Sequence, residues 1–203
     1  MSKRIYISAD YAYEDGDRVV VDKLNKWGQD NVRNVDFVDM AKVVTGTVAN
    51  DEDCRICDLK AEFNRQINAS SAVVFVVGDK TAKRIAGSVC NRAKLEQEVC
   101  SCTPYKDNRN GCKPCRVNNT FNPSKDGDVG NINAYPYLKH EFEQAKKKNK
   151  VIVILYNSTR KEVSWLPSYM KGYEDCAMPF WTYNSKGVKD GDYHNIKHVL
   201  GFD

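Results

Sequence analysis

No stretch of this chain approaches the roughly 18 consecutive apolar residues that a membrane-spanning helix needs. The opening Met1-Ser2-Lys3-Arg4-Ile5-Tyr6-Ile7-Ser8 passes directly into an alternating pattern and lacks the apolar centre of a secretory leader. These two absences lead to the expectation of a cytoplasmic protein with no membrane partner. An excess of one charge sign is also missing. The 31 Lys and Arg against 27 Asp and Glu leave a net charge of +4, too small to argue for a nucleic-acid partner. The densest basic run, Lys146-Lys147-Lys148 with Lys150, falls where a helix should end, and cations there suit the carbonyl end of the helix dipole. Histidine is scarce, with three in all. His194 and His198 are four apart, but no glutamate joins them in the metalloprotease pattern, so they are read as helix-surface side chains. No internal repeat is present.

What remains is the composition of a globular protein: 41% apolar and 29% charged residues in 203, enough for one domain over 1–203 with one continuous core. Strand and helix patterns alternate. Strands are expected at 4–8, 35–39, 72–77, 151–156 and 178–183. Helices are expected at 15–27, with Val19, Val20, Leu24 and Trp27 as its apolar face, at 59–67, at 136–148 and at 193–200. Ala72–Val77 and Val151–Tyr156 are unbroken apolar runs, the mark of strands covered on both faces. The alternation implies an α/β fold: a doubly wound parallel sheet with helices on both faces. Ligands of such sheets bind at the carboxyl ends of the strands, which singles out the loops after Ser8, Gly78 and Asn157. Asp36 and Asp39 read as ordinary strand-end polar residues.

Residues 87–135 break the rhythm. They have little apolar periodicity and read as an insertion within the domain. Half of the chain's eight cysteines form two close pairs there, Cys100-x-Cys102 and Cys112-x-x-Cys115. Disulfides are disfavoured in a reducing compartment. The two pairs fit a tetrahedral structural zinc site, which would order an otherwise polar insertion. Cys54, Cys57, Cys90 and Cys176 are left as substitute ligands or buried thiols. No histidine stands near these cysteines in sequence, which speaks against a catalytic thiol.

In the helix expected at 136–148, Leu138, Phe142 and Ala145 form the apolar stripe, with Pro136 suited to its first position. Tyr137 and Glu141 are four apart and share a neighbouring face. Glu141 therefore sits at the edge of the apolar face, and partial desolvation there raises a carboxyl pKa.

Three segments carry a resemblance to a known family. "RIYISADYAYEDGDRVVVDKLNKW" resembles a strand, loop and helix opening. "SAVVFVVGDKT" resembles a central strand with its following loop. "YLKHEFEQAKKKNKVIVILYN" resembles an aromatic-x-x-x-Glu helix leading into a strand. Together, over roughly 3–87 and 135–183, the chain resembles the TIR-like domains of bacterial anti-phage proteins of the Thoeris kind. The resemblance implies a flavodoxin-like, TIR-type sheet with the Cys-rich insertion before the catalytic helix. It implies an NAD+ glycohydrolase or cyclase in which Glu141 is catalytic and Tyr137 takes the aromatic position usually held by Trp. It also implies a cyclic or conjugated ADP-ribose signal, read by a downstream effector protein in antiviral defence, and a homo-oligomer. Candidate nucleotide-binding residues are Ser8, Ala9, Asp10 and Tyr11 after the first strand, Arg18 in the first helix, Asp79 and Thr81 after the third strand, and Tyr137. A solvent-facing position suits Arg18 better than a phosphate contact, and a surface turn suits Tyr11 equally. Two other functions stay open: a non-catalytic scaffold that binds other TIR-like domains, and a nucleoside deoxyribosyltransferase-like enzyme, which also uses a glutamate. A Glu on the right helix favours the NAD+ enzyme over the scaffold.

Overall fold

The computed structural model describes residues 3–10, 16–29, 35–39, 56–83, 106–107, 111–112 and 137–201, with backbone alone for 56–58 and for the two dipeptides. Its strands are β1 (Lys3–Ser8), β2 (Val35–Asp39), β3 (Ala72–Val77), β4 (Lys106–Asp107), β5 (Gly111–Cys112), β6 (Val151–Tyr156), β7 (Ala177–Pro179), β8 (Trp181–Tyr183) and β9 (Lys189–Gly191). Its α-helices are α1 (Arg18–Gly28), α2 (Ile56–Ala69), α3 (Tyr137–Lys147) and α4 (Tyr193–Val199). Among the described residues no helix is long and apolar enough to cross a membrane.

Five strands make one sheet in the order β2-β1-β3-β6-β7, every neighbouring pair parallel. The apolar runs of β3 and β6 occupy central places because only there are both faces of a strand covered. All six residues of β3 are buried. Alternation along the strands divides the core in two. Ile5, Ile7, Val74, Val76, Val153 and Leu155 face α1 and α4. Tyr6, Val73, Phe75, Val77, Ile154 and Tyr156 face α2 and α3. The fold class is thus α/β with helices on both faces, as the alternation of patterns implies.

Two expectations need correction. On α1 the buried face is Val20, Val21, Leu24 and Trp27, while Val19 is 54% exposed. Val20, Leu24 and Trp27 already fix the stripe, and Val19 is turned about 100° away from Val20. The strand expected at 178–183 is two strands. β7 pairs with the last residues of β6, Tyr156↔Pro179 being the final pair. Beyond that point β6 offers no partner, and β8 pairs antiparallel with β9 instead. Phe180, between them, is fully buried against Trp27 at 5.5 Å between ring centroids.

α3 carries its buried stripe as expected, with Phe142 fully covered and Leu138 at 6% exposure. Burying a Phe of this kind contributes roughly 1.5–3 kcal/mol. Phe142 meets Phe75 of β3 edge to face, the centroids 5.4 Å apart. Asn149, at φ 49°, ends the helix in the left-handed conformation. The Lys150 and Asn149 amides then return to the Ala145 and Lys146 carbonyls, a Schellman closure. Lys146 and Lys147 lie in the last turn, where the dipole argument puts them.

Candidate active site

Glu141 is the most deeply placed carboxylate of α3, at 4% exposure. It is not the half-solvated group that its position on the helix suggests. Two side chains of β1 hold it. The Tyr6 hydroxyl donates to Oε1 and the Ser8 hydroxyl to Oε2. Tyr6 and Ser8 are two apart, so both project from β1 towards α3, whereas Ile5, Ile7 and Ala9 belong to the opposite core. Burial pushes the Glu141 carboxyl up to about 7, against the opposing effect of the Ser8 and Tyr6 hydrogen bonds. At neutral pH the group is therefore close to half ionised. Tyr169, half-buried on a single 3₁₀ turn (Ser168–Met170), has its own pKa raised by burial and by the Glu141 charge. His140, next in sequence, turns to α2 instead, with Nε2 2.9 Å from Asn64 Oδ1.

A second cluster lies at the carboxyl ends of β1, β3 and β6. Asp17 precedes α1 and is buried. Its carboxylate accepts from Asn157 Nδ2 at 3.0 Å and from Thr81 Oγ1 at 3.3 Å. Its amide donates to the Asp10 carbonyl at 2.9 Å. Burial raises its pKa, the Asn157 and Thr81 bonds oppose that, and the nearby Asp10 and Asp79 charges add to it. Thr81 Oγ1 also accepts the Gly78 amide at 2.8 Å. Trp181 Nε1 donates to Asn157 Oδ1 at 2.8 Å. Asp17 thus ties together the three strand-end loops.

Of the expected site residues, Ser8 and Glu141 are joined directly. Ala9 is a core residue on the α1 side, and Asp10 contributes its carbonyl to the Asp17 cluster. Thr81 belongs to that cluster by its side chain, and Asp79, exposed, by its charge. Arg18 lies 3.5 Å from Asp22 one turn along α1. Tyr137 is half-buried, its ring edge-on to Phe63 of α2 at 5.3 Å. Asp39 is buried and accepts from Asn25 at 2.7 Å, more than an ordinary strand-end residue. Tyr11, Cys100, Cys102 and Cys115 lie outside the described residues. Of Cys112 only the backbone is described, in β5. Cys176 is exposed rather than a buried thiol. His194 and His198 are exposed on α4. Among the described residues no group of three His, Cys, Asp or Glu could hold a metal.

Sequence reasoning missed Tyr6, Asp17, Asn157 and Tyr169. The alternation Ile5-Tyr6-Ile7-Ser8 carries the signal for Tyr6, since a hydroxyl-bearing pair at i, i+2 in a buried strand must face one partner. Asp17 reads locally as a helix-start residue, and only the tertiary approach of Thr81 and Asn157 distinguishes it.

Comparison of the chain with protein-family models, curated proteins and solved structures finds no match. The functional reading therefore rests on the geometry and on the resemblance of the three segments.

Proposed function

We propose that the chain is a TIR-like enzyme that cleaves NAD+ at the nicotinamide–ribose bond, with Glu141 as its catalytic carboxylate. The observation that carries the reading is the buried Glu141 carboxylate, held by Tyr6 and Ser8 on both oxygens, with its pKa near 7. A carboxyl so strongly perturbed by burial costs the fold stability, which is typical of functional sites. The sheet order β2-β1-β3-β6-β7 supports it, being that of a flavodoxin-like doubly wound fold.

The chemistry asks little else of the protein. Nicotinamide leaves as a neutral molecule from a cationic ring, so no general acid is needed. As the bond breaks, the ribose takes on oxocarbenium character, as in glycoside hydrolysis. An ionised Glu141 stabilises that charge as it forms, and in a low-dielectric setting its effect is large. Tyr6 and Ser8 fix the orientation of the carboxylate and favour its ionised form. The acceptor then sets the product: water gives ADP-ribose, a hydroxyl of the same molecule gives a cyclic isomer, and another nucleophile gives a conjugate. The resemblance favours a cyclic or conjugated signal for an effector protein in anti-phage defence.

The Cys-rich insertion fits a structural zinc held by Cys100, Cys102, Cys112 and Cys115. Cys112 stands in a two-stranded antiparallel hairpin, paired with Lys106, three residues before Cys115. A short hairpin of this kind suits the turn of a zinc knuckle.

Incubation of the purified protein with NAD+, followed by chromatography, tests the reading. Nicotinamide together with one ADP-ribose-type product is expected. Intact NAD+ with protein from infected cells as well as from resting cells contradicts it.

A further inference from the structure

β2 is one edge of the five-stranded sheet, and among the described residues its one strand partner is β1. A cavity of about 330 Å³ runs along it, lined by Asp36, Phe37, Val38 and Asp39 in succession. Successive side chains of a strand point to opposite faces. A cavity that meets four in a row therefore lies beside the strand, against its outer edge, and not on either face of the sheet. An edge of this kind presents a row of main-chain N–H and C=O groups, a template for a further strand.

Both flanks of the cavity are built. On one side the end of α1 comes down on the strand, where a Cβ on Gly28 would stand 3.1 Å from the Val35 carbonyl oxygen. Phe37 is half-buried on that side, and Asn25 Nδ2 donates to the buried Asp39 at 2.7 Å. On the other side Arg4 of β1 and Asp36 of β2 are cross-strand partners. They share the α2 face with Tyr6 and Val38, two residues further on. Arg4 is committed to α2, its Nη2 donating to Gln66 Oε1 at 2.6 Å. Its Nε lies 3.9 Å from Asp36 Oδ2, beyond hydrogen-bond length, and Asp36 is exposed. The groove thus carries two carboxylates against one guanidinium, and the outer carboxylate is open to a further cation.

We propose that the outer edge of β2 receives an extended basic segment of another protein, which joins the sheet as an added strand. Main-chain pairing gives such a segment its hold, and alternate side chains give selectivity. Those on the α2 face meet Asp36 and suit Lys or Arg, since opposite charges on neighbouring strands attract. Those on the α1 face meet Phe37 and suit an apolar side chain. A second copy of this chain fits less well, because it brings its own Asp36 and Asp39 to the seam, and like charges there repel. An acidic or phosphorylated segment meets the same repulsion. Binding at this edge is independent of the NAD+ reading of Glu141.

The test uses the full chain and a short synthetic peptide with blocked ends that alternates lysine and valine. Its affinity is measured by fluorescence anisotropy, beside that of a peptide with glutamate in place of lysine. Two further probes carry N-methyl groups on one or the other set of alternate amides of the lysine peptide. The lysine peptide should bind, and the glutamate peptide should not. Methylation of one set should abolish binding and methylation of the other should spare it, because only alternate amides of an added strand face β2. Asp36→Asn, a nearly isosteric change at an exposed position, should weaken the lysine peptide about tenfold with the melting temperature unchanged. No binding of the lysine peptide overturns the proposal. Equal effects of the two methylation patterns overturn strand pairing. Equal affinity of the glutamate peptide, or of Asp36→Asn for the lysine peptide, overturns the basic partner.

Discussion

At the scale of the residue, Glu141 sets the argument. Its carboxyl is held near 7 in the fold, above the 4.5 of an unperturbed glutamate. Below pH 4.5 it is protonated in the folded and unfolded chain alike and has no differential effect. As pH rises through the window from 4.5 to about 7, the unfolded chain ionises first and gains relative to the fold. The cost reaches about 3 kcal/mol above pH 7. Glu141→Gln has no such cost, so wild type should lose stability relative to this variant between pH 4.5 and 8. Urea titrations of both proteins across that range measure it, and parallel curves would show that burial does not shift this group. Under the proposed function the same titration governs catalysis with the opposite sense, because the ionised form does the work. The rate of nicotinamide release should rise with pH and reach half its plateau near pH 7. A rate that falls through that window contradicts a carboxylate role. The position of Glu141 beside an apolar stripe was legible in the sequence. Its depth was not, because helical spacing gives a direction and says nothing of how closely β1 approaches in that direction.

At the scale of the element, β1 contributes the two hydroxyls that favour the ionised carboxylate. Ser8→Ala removes the stronger of the two hydrogen bonds that lower the Glu141 pKa, so that pKa should rise and the pH–rate profile should move to higher pH. An unmoved profile would mean that Ser8 does not sense the charge. The Asp17 cluster offers a separate test. A Cβ on Gly78 would lie 2.4 Å from Asp17 Oδ1, so the carboxylate would have to leave its place between Asn157 and Thr81. Gly78→Ala should cost about 1–3 kcal/mol, readable as a lower urea midpoint. An unchanged midpoint would show that the three loops do not depend on this staple. The strands β2, β3 and β6 could be bounded from sequence because turns and apolar runs agree there. The break between β7 and β8 could not. Met178 to Tyr183 has the pattern of one strand, and the division arises only because β6 ends at Tyr156 and leaves β8 to pair with β9.

At the scale of the whole molecule, a parallel sheet with helices on both faces followed from the alternation of strand and helix patterns, which is global and survives local ambiguity. The contents of 87–135 did not follow, since that segment lacks periodicity. Its cysteines make a chemical prediction instead. Protein purified without added zinc should carry about one equivalent, and replacement of Cys112 and Cys115 together should release it and lower the melting temperature. Metal-free protein with an unaltered melting temperature would count against the site. The proposed signalling role is also a property of the whole chain. Lysates of infected cells that contain the protein should activate an effector, while lysates with Glu141→Gln should not.

One comparison tests the role of Glu141 most directly. Wild-type protein and Glu141→Gln, both shown to be folded by circular dichroism, are given NAD+ under the same conditions, and free nicotinamide is measured over time. Loss of the charge should lower the rate about a thousandfold or more, the scale of losing several kcal/mol of transition-state stabilisation. Release of nicotinamide by the variant at the wild-type rate would contradict the assignment of Glu141 as the catalytic carboxylate.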